Sequence, residues 1–459
     1  MEKLDTSKKI QLISGSIDKA TMASIHSAVQ QKEQNRLVLV FEKIHPADIA
    51  DFLEQVNRSQ RKSIVNLWGD SINGEVLSEL EEGVRDELLE VIPDQSLVKS
   101  IRKLQTDDLV HLIEDLDDKK KEKLLQLFEK PERIAIERLL QYDTDTAGRL
   151  MQLELVTAPE YWTVGDAIDF LRSNSDLNNK FYELIMVDPI FHPIGIVSLS
   201  LLLQSSRSER LTDLMITDFK FFKVTESKDD VAYSFNQYHM VSAPVIDIDH
   251  RLVGVISIED AMAALKDETD EDLKRLGGVG DEELSDSFFG ITRARFPWLS
   301  VNLLTAVLAS IVIAQFSETI QSLVALAVLM PIVASMGGNA GTQTLTVAVR
   351  ALATRDLTTE NLKRVVFREV SVGLMNGLVF SIFVGMIALV WYQNIELGLV
   401  LGTAMLCNML VAGLAGILVP VGLSKLKVDP ALSSAVFVTT VTDIIGLFGF
   451  LYLASFFLL

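Results

Sequence analysis

Apolar residues are spread unevenly along this chain of 459 residues. Five long runs follow Arg295: roughly Pro297–Phe316, Thr319–Val349, Val370–Ile395, Leu397–Ser424 and Pro430–Leu459. Each meets the roughly 20 residues that a helix needs to cross a bilayer. Residues 1 to about 135 instead place apolar positions three and four apart, which predicts amphipathic helices. Between about 140 and 265, short runs such as Leu184–Val187, Gly195–Val197, Ala243–Ile246 and Leu252–Ile256 alternate with helical stretches and predict a mixed α/β region.

The helical head repeats itself at an offset of 60 residues. Asp48, Ile49, Phe52, Leu53 and Glu54 return as Asp108, Leu109, Leu112, Ile113 and Glu114. Ile64, Val65, Leu67 and Trp68 return as Leu124, Leu125, Leu127 and Phe128. Repeated helical hairpins predict a small superhelical stack. Acids gather in the second copy, at Asp107, Asp108, Glu114, Asp115, Asp117 and Asp118, either as a solvated face or as cation ligands. The α/β region also holds two similar units, one ending in Gly195-Ile-Val-Ser198-Leu-Ser-Leu201 and the other in Gly254-Val-Ile-Ser257-Ile-Glu259-Asp260. A helix predicted over roughly Ile258–Leu276 then leads to the first run, and Gly277-Gly278 suits its C-cap. It carries Glu259, Asp260, Asp267, Glu268, Asp270, Glu271 and Asp272. These repel one another unless cations neutralise them, with Lys266, Lys274 and Arg275 as partial compensation.

Charge separates the two halves. The chain has 62 acids and 42 bases, but from Pro297 onward there are only seven of each. The head therefore carries the whole net charge of −20, which argues against nucleic acid and for metal cations or basic partners. Bases fill alternate links between runs. Arg350, Arg355, Lys363, Arg364 and Arg368 lie between runs two and three, Lys425 and Lys427 between four and five, and Arg293 and Arg295 before run one. The positive-inside tendency then predicts five spans of the cell membrane, a cytoplasmic head and an outside C-terminus. Met1–Ile10 is polar and charged, so no secretory signal is expected, and the single Cys407 excludes a disulfide framework.

Asp443 is the only charge within the five runs. A carboxylate at mid-bilayer costs roughly 2.5–3.5 kcal/mol on insertion scales, and Asp is too short to reach the interface. With no base in its run, its natural ligand is a cation. Run two contains Pro331 and Gly337-Gly-Asn339-Ala-Gly-Thr-Gln343, which predicts a broken helix. Two readings stand for Gly337-x-x-x-Gly341: a pore wall, favoured by the amides of Asn339 and Gln343, or close helix packing. No Walker A loop is present, so ATP-driven pumping is not expected. The six histidines are scattered outside the runs, which leaves zinc chemistry without support, and with no Ser-His-Asp or Gly-x-Ser-x-Gly context no enzymatic activity is expected.

The strand–Ser–x–x–Asp–helix pattern resembles the CBS domain, which occurs as a tandem pair. In members that bind adenosine nucleotides such as ATP, the Ser and Asp meet phosphate and ribose. That resemblance implies a nucleotide at Gly254, Ser257 and Asp260, and Leu201 replaces the acid in the first unit. The alternative is that Ser257 and Asp260 cap the next helix. The whole chain resembles the MgtE family of magnesium channels, on Gly337–Gln343 with Arg350–Leu357, on Val428-Asp429-Pro430-Ala431-Leu432 with Thr442-Asp443, and on Asp145–Met151. The resemblance implies a homodimer in the lipid bilayer with Asp443 and Asn339 in its pore. One departure is Ala435-Val436, where family members often have Gly-Pro. The implied layout is an acidic helical N domain at 1–138, CBS units at 139–203 and 204–262, a linking helix region at 263–296 and a five-helix transmembrane domain at 297–459. Mg2+ is then both substrate and regulator: bridging acids of the head and the linking helix, it closes the pore. Other hard divalents suit the same oxygens, and an anchored sensor without transport is the alternative of a different class.

Overall fold

The computed structural model describes residues 17–114, 116–174, 177, 181–279 and 288–459. The chain divides into two compact units, Met1–Lys266 and Asp267–Leu459, and the boundary falls within one helix, Ile258–Gly277.

The first unit begins with short helices, and the repeat is visible in its packing. Pro46–Gln55 and Arg58–Trp68 correspond to Thr106–Glu114 and Asp118–Leu125. Ile49, Ala50, Phe52 and Leu53 are buried in the first copy, and Leu109, Val110, Leu112 and Ile113 in the second. The correspondence extends to a base. Arg61 donates to Glu54 O at 3.4 Å, and Lys121 Nζ donates to Glu114 O at 2.8 Å. In both copies the second helix thereby satisfies a carbonyl at the C-terminal end of the first, where intrahelical partners run out.

Two three-stranded sheets follow on one plan. β1 (Thr157–Pro159) runs parallel to β2 (Glu183–Val187), which pairs antiparallel with β3 (Pro193–Ser198). β4 (Phe222–Lys223), β5 (Ser242–Ile246) and β6 (Leu252–Ser257) repeat this arrangement. The two sheets exchange their leading segments. Thr146 pairs with Ser227 and Gln152 with Val255 of β6, while Ile216, before β4, pairs with Ile196 of β3. The Asp145–Met151 motif thus packs on the second sheet. A methyl on Gly254 would lie 2.4 Å from Met151 Sδ, so glycine at 254 admits this buried methionine.

The linking helix runs unbroken from Ile258 to Gly277. Gly278 has φ +68°. Its N–H donates to Arg275 O at 3.0 Å, and that of Val279 to Lys274 O at 3.1 Å, the paired bonds of a Schellman cap.

The second unit holds five helices long and apolar enough to cross a membrane: Phe288–Gln315, Ala325–Ala353, Leu362–Tyr392, Ile395–Lys425 and Ala435–Phe457, the last being part of Pro430–Phe457. The fourth span is the hub, with Leu397, Leu401, Met405 and Met409 buried against its neighbours. Glycines let backbones meet there: a methyl on Gly373 would lie 2.9 Å from Met409 O, and one on Gly402 2.9 Å from Ser381 O.

The predicted break in run two is not where sequence places it. The helix Ala325–Ala353 continues through Pro331, Gly337 and Gly338, and the interruption falls earlier, between Ser317–Ser322 and Ala325. Pro331 removes only one donor, and packed neighbours support the rest of the helix. The glycines serve packing: a methyl on Gly337 would lie 2.1 Å from Asn408 Nδ2, and one on Gly341 2.6 Å from Val438 Cγ1.

Candidate functional site

The second span has two contrasting sides. Gly337, Gly341, Leu345 and Ala348 are buried. On the opposite side Ser335, Asn339, Thr342, Gln343, Thr346 and Arg350 are all exposed and recur at helical spacing. The hydroxyls of Thr342 and Thr346 donate to their own helix, each at 2.9 Å. The amides of Asn339 and Gln343 have no hydrogen-bond partner among the described residues. A lipid-facing side does not tolerate such a stripe, because hydrocarbon offers its amides nothing.

Asp443 lies on the fifth span at the depth of Asn339. Leu345 and Val349 of the second span cluster with Ala431 and Val438 of the fifth, so the two helices run antiparallel. Gly341 faces Val438 and Thr442, and Gly337 and Gly446 both abut the Asn408 amide. Asp443 falls between these two levels. It is half-buried and has no ion pair or hydrogen-bond donor among the described residues.

Sequence reasoning missed Asn408. It is 1% exposed, donates Nδ2 to Val333 O at 2.8 Å, and leaves Oδ1 without a partner. It fills the space that Gly337 and Gly446 leave open and so holds the spans that carry Asn339 and Asp443. Its signal was available, since it is the only amide in run four.

In the head, the candidate acids separate into committed and uncommitted groups. Asp107 Oδ1 is buried with no hydrogen-bond donor. Burial pushes this carboxyl well above the usual range, and the negative charges of Asp260 and Asp108 add to the rise. Asp260 comes from the start of the linking helix, which brings the two carboxylates together. Asp260 Oδ2 also accepts from Ser257 Oγ at 2.6 Å and from Gln152 Nε2 at 2.9 Å. Its own N–H donates to Ser257 Oγ at 3.3 Å, which closes a reciprocal helix cap. In the first α/β unit Leu201 donates to Ser198 Oγ at 3.3 Å, but no carboxylate answers.

Glu114 is held by His111 at 3.1 Å and by Arg149 at 3.4 Å, so it serves the head's internal structure. Glu271 pairs with Arg275, which also pairs with Asp429 at the start of the fifth span. Asp267 and Asp270 are exposed and have no ion pair among the described residues, whereas Asp108, Glu259, Glu268 and Asp272 are engaged. Asp115 lies outside the described residues. Among the described residues no three His, Cys, Asp or Glu side chains gather closely enough to hold a metal ion. Mg2+ does not require such a cage, since it keeps several waters and takes one or two carboxylates.

Comparison with known proteins gives three family matches. Residues 330–453 match the MgtE divalent cation transporter family, 44–145 the MgtE intracellular N domain and 211–267 the CBS domain. The chain is 30% identical over 438 residues to the magnesium transporter MgtE of Thermus thermophilus, covering 94% of this chain and 97% of that one. It is 33% identical over 323 residues to that of Enterococcus faecalis, covering 70% and 71%. Among solved structures it resembles the cytosolic domain of the Mg2+ channel MgtE in complex with ATP, with TM-score 0.50 and 27% identity over 52% of this chain and 98% of that one.

Proposed function

The chain belongs to the MgtE family of magnesium transporters, and from that premise we propose that it lets Mg2+ pass the cytoplasmic membrane down its gradient, through a pathway lined by the second and fifth spans. The observation that carries this reading is the exposed polar stripe at Ser335, Asn339, Thr342, Gln343 and Thr346, level with the unpaired Asp443. A homodimer would cover the stripe and bring two copies of Asp443 to one axis. Two carboxylates and nearby amides can hold a hydrated divalent ion without stripping its waters, which keeps binding weak enough for release. The head is cytoplasmic in this reading, and the C-terminus lies outside.

The same ion regulates. Asp107 and Asp260 are two carboxylates that cannot both stay ionised side by side without a counter-charge. Mg2+ supplies that charge when it is plentiful, draws the head and linking helix together, and closes the pathway. Asp267 and Asp270 remain available on the same helix. An adenosine nucleotide such as ATP binds the second α/β unit at Gly254, Ser257 and Asp260, in line with the ATP-bound relative. Leu201 denies the first unit an acid for the ribose.

Passive transport is tested with purified protein in sealed liposomes under a Mg2+ gradient. Uptake should proceed with no nucleotide and slow as Mg2+ rises on the head side. Dependence on ATP hydrolysis, or no uptake at all, would exclude it. Regulation is tested by limited proteolysis, in which Mg2+ should protect residues 258–296. Equal cleavage with and without Mg2+ would remove the sensor role.

A further inference from the structure

A cleft of about 910 Å³ lies between the second and third spans, floored by Ile417 of the fourth. The second and third spans scarcely touch, because each packs on the fourth. One end of the cleft is polar, with Arg364 and Arg368 from the start of the third span beside Asp356 and Glu369. The other end is mainly apolar, with Val372 and Met375 beside the single amide of Asn376. At ~1.5 Å per residue, Met375 lies about 16 Å along the helix from Arg364.

The charges in the cleft are not equally available. Glu369 pairs with Arg368 at 2.9 Å and accepts from Thr344 at 3.3 Å, and Asp356 accepts from Thr354 at 2.7 Å. Arg364 has no ion pair or hydrogen bond among the described residues. The surrounding stretch, 350–369, has five bases and three acids, so its field favours an anion. The mainly apolar end offers little to water or to a small free anion.

We propose that this cleft binds an anionic phospholipid, with the phosphate on Arg364 and Arg368 and one acyl chain along Val372, Met375 and Ile417. The distance from the arginines to the apolar end suits a headgroup and the upper part of a chain. Each base near an anionic membrane surface adds roughly five-fold to association, which separates an anionic from a zwitterionic headgroup. This rests on the membrane placement of the spans and not on which ion they carry. Asn376, at the deep end, is the lining group that an acyl chain leaves unused and that a second copy of this chain would engage.

The test uses full-length protein, delipidated in mild detergent and exposed to equal phosphatidylglycerol and phosphatidylcholine, with retained lipid read by native mass spectrometry. The expected result is one retained phosphatidylglycerol per chain. Arg364→Gln should lower its retention about five-fold and leave phosphatidylcholine unchanged. Val372→Trp, which fills the apolar end but keeps both arginines, should also lower retention. If that variant elutes as aggregate, Arg364→Gln decides alone. Millimolar inorganic phosphate should not displace the lipid. Equal retention of both lipids, an unaffected Arg364→Gln, or displacement by phosphate would overturn the proposal. So would a photo-cross-linking residue at Met375 that captures a second chain instead of lipid, which would assign the cleft to an interface between copies.

Discussion

The acids of the head and the polar groups of the spans differ in what already holds them. In the head most carboxylates are engaged. Glu114 is fixed by His111 and Arg149, Glu271 by Arg275, and Asp260 by Ser257 and Gln152. In the spans, where an unsatisfied polar group costs more, Asn339, Gln343 and Asp443 have no partner among the described residues. The acids that build the head are satisfied within the fold, whereas groups on the proposed ion path would keep their lone pairs for the ion. Asp107 breaks the pattern inside the head, being buried beside another carboxylate with its Oδ1 unpartnered. By that measure it resembles the membrane groups more than its neighbours, which is what the proposed sensor role requires of it.

This contrast can be broken by exchanging the two kinds of group. Glu114→Ala should cost about 2 kcal/mol in chemical unfolding, because it leaves Arg149, only 12% exposed on its side chain, without its carboxylate. It should leave the Mg2+ dependence of proteolysis unchanged, and a shift there would move Glu114 into the sensor. Asn339→Leu should do the reverse, cutting liposome uptake about ten-fold, a change of about 1.4 kcal/mol, while leaving the thermal midpoint nearly unchanged. Asp107→Asn should raise the thermal midpoint by a few degrees in Mg2+-free buffer at neutral pH, and should remove most of the extra stability that Mg2+ confers on wild type.

The pH dependence of Asp107 follows with a definite sign. Its folded pKa is raised above the ordinary value of 3.8 by burial and by Asp260 and Asp108. The folded state therefore holds this proton more tightly than the unfolded one. Without Mg2+, stability should fall as pH rises from 3.8 through the raised folded value, and then level off. Asp107→Asn should flatten that portion of the unfolding profile. The smallest effect belongs to the caps. Ser257→Ala should cost about 1 kcal/mol and Ser198→Ala less, because only Ser257 has the answering carboxylate. Equal costs would mean that Asp260 is not held by the cap.

Local rules made much of this fold legible. The offset of 60 residues forecast which faces are buried in both head hairpins, because amphipathic spacing is set within one helix. Gly277-Gly278 forecast the cap for the same reason. Long uncharged runs forecast the spans, since the bilayer imposes length directly. What failed depended on contacts distant in sequence. Pro331 and the glycine pair look like helix breakers in isolation, but Asn408 packs against Gly337 and Val438 against Gly341, and the helix continues. The exchange of Thr146–Gln152 and Ile216 between the two sheets has no local signature. Asp443 stands out in the sequence from its cost alone. Asn408 does not, because an amide in an apolar run is a weaker anomaly than a charge.

The most direct measurement is the current carried by single molecules in a planar bilayer with Mg2+ as the only permeant cation, compared between wild type and Asp443→Asn. Wild type should show unitary Mg2+ steps that become rarer as Mg2+ rises on the head side. The variant, matched for size-exclusion profile and thermal midpoint, should lose at least ~100-fold in conductance, because a unit charge near a divalent ion is worth several kcal/mol even at an effective dielectric of about 20. Unitary currents of undiminished size in Asp443→Asn would contradict the assignment of Asp443 to the ion path.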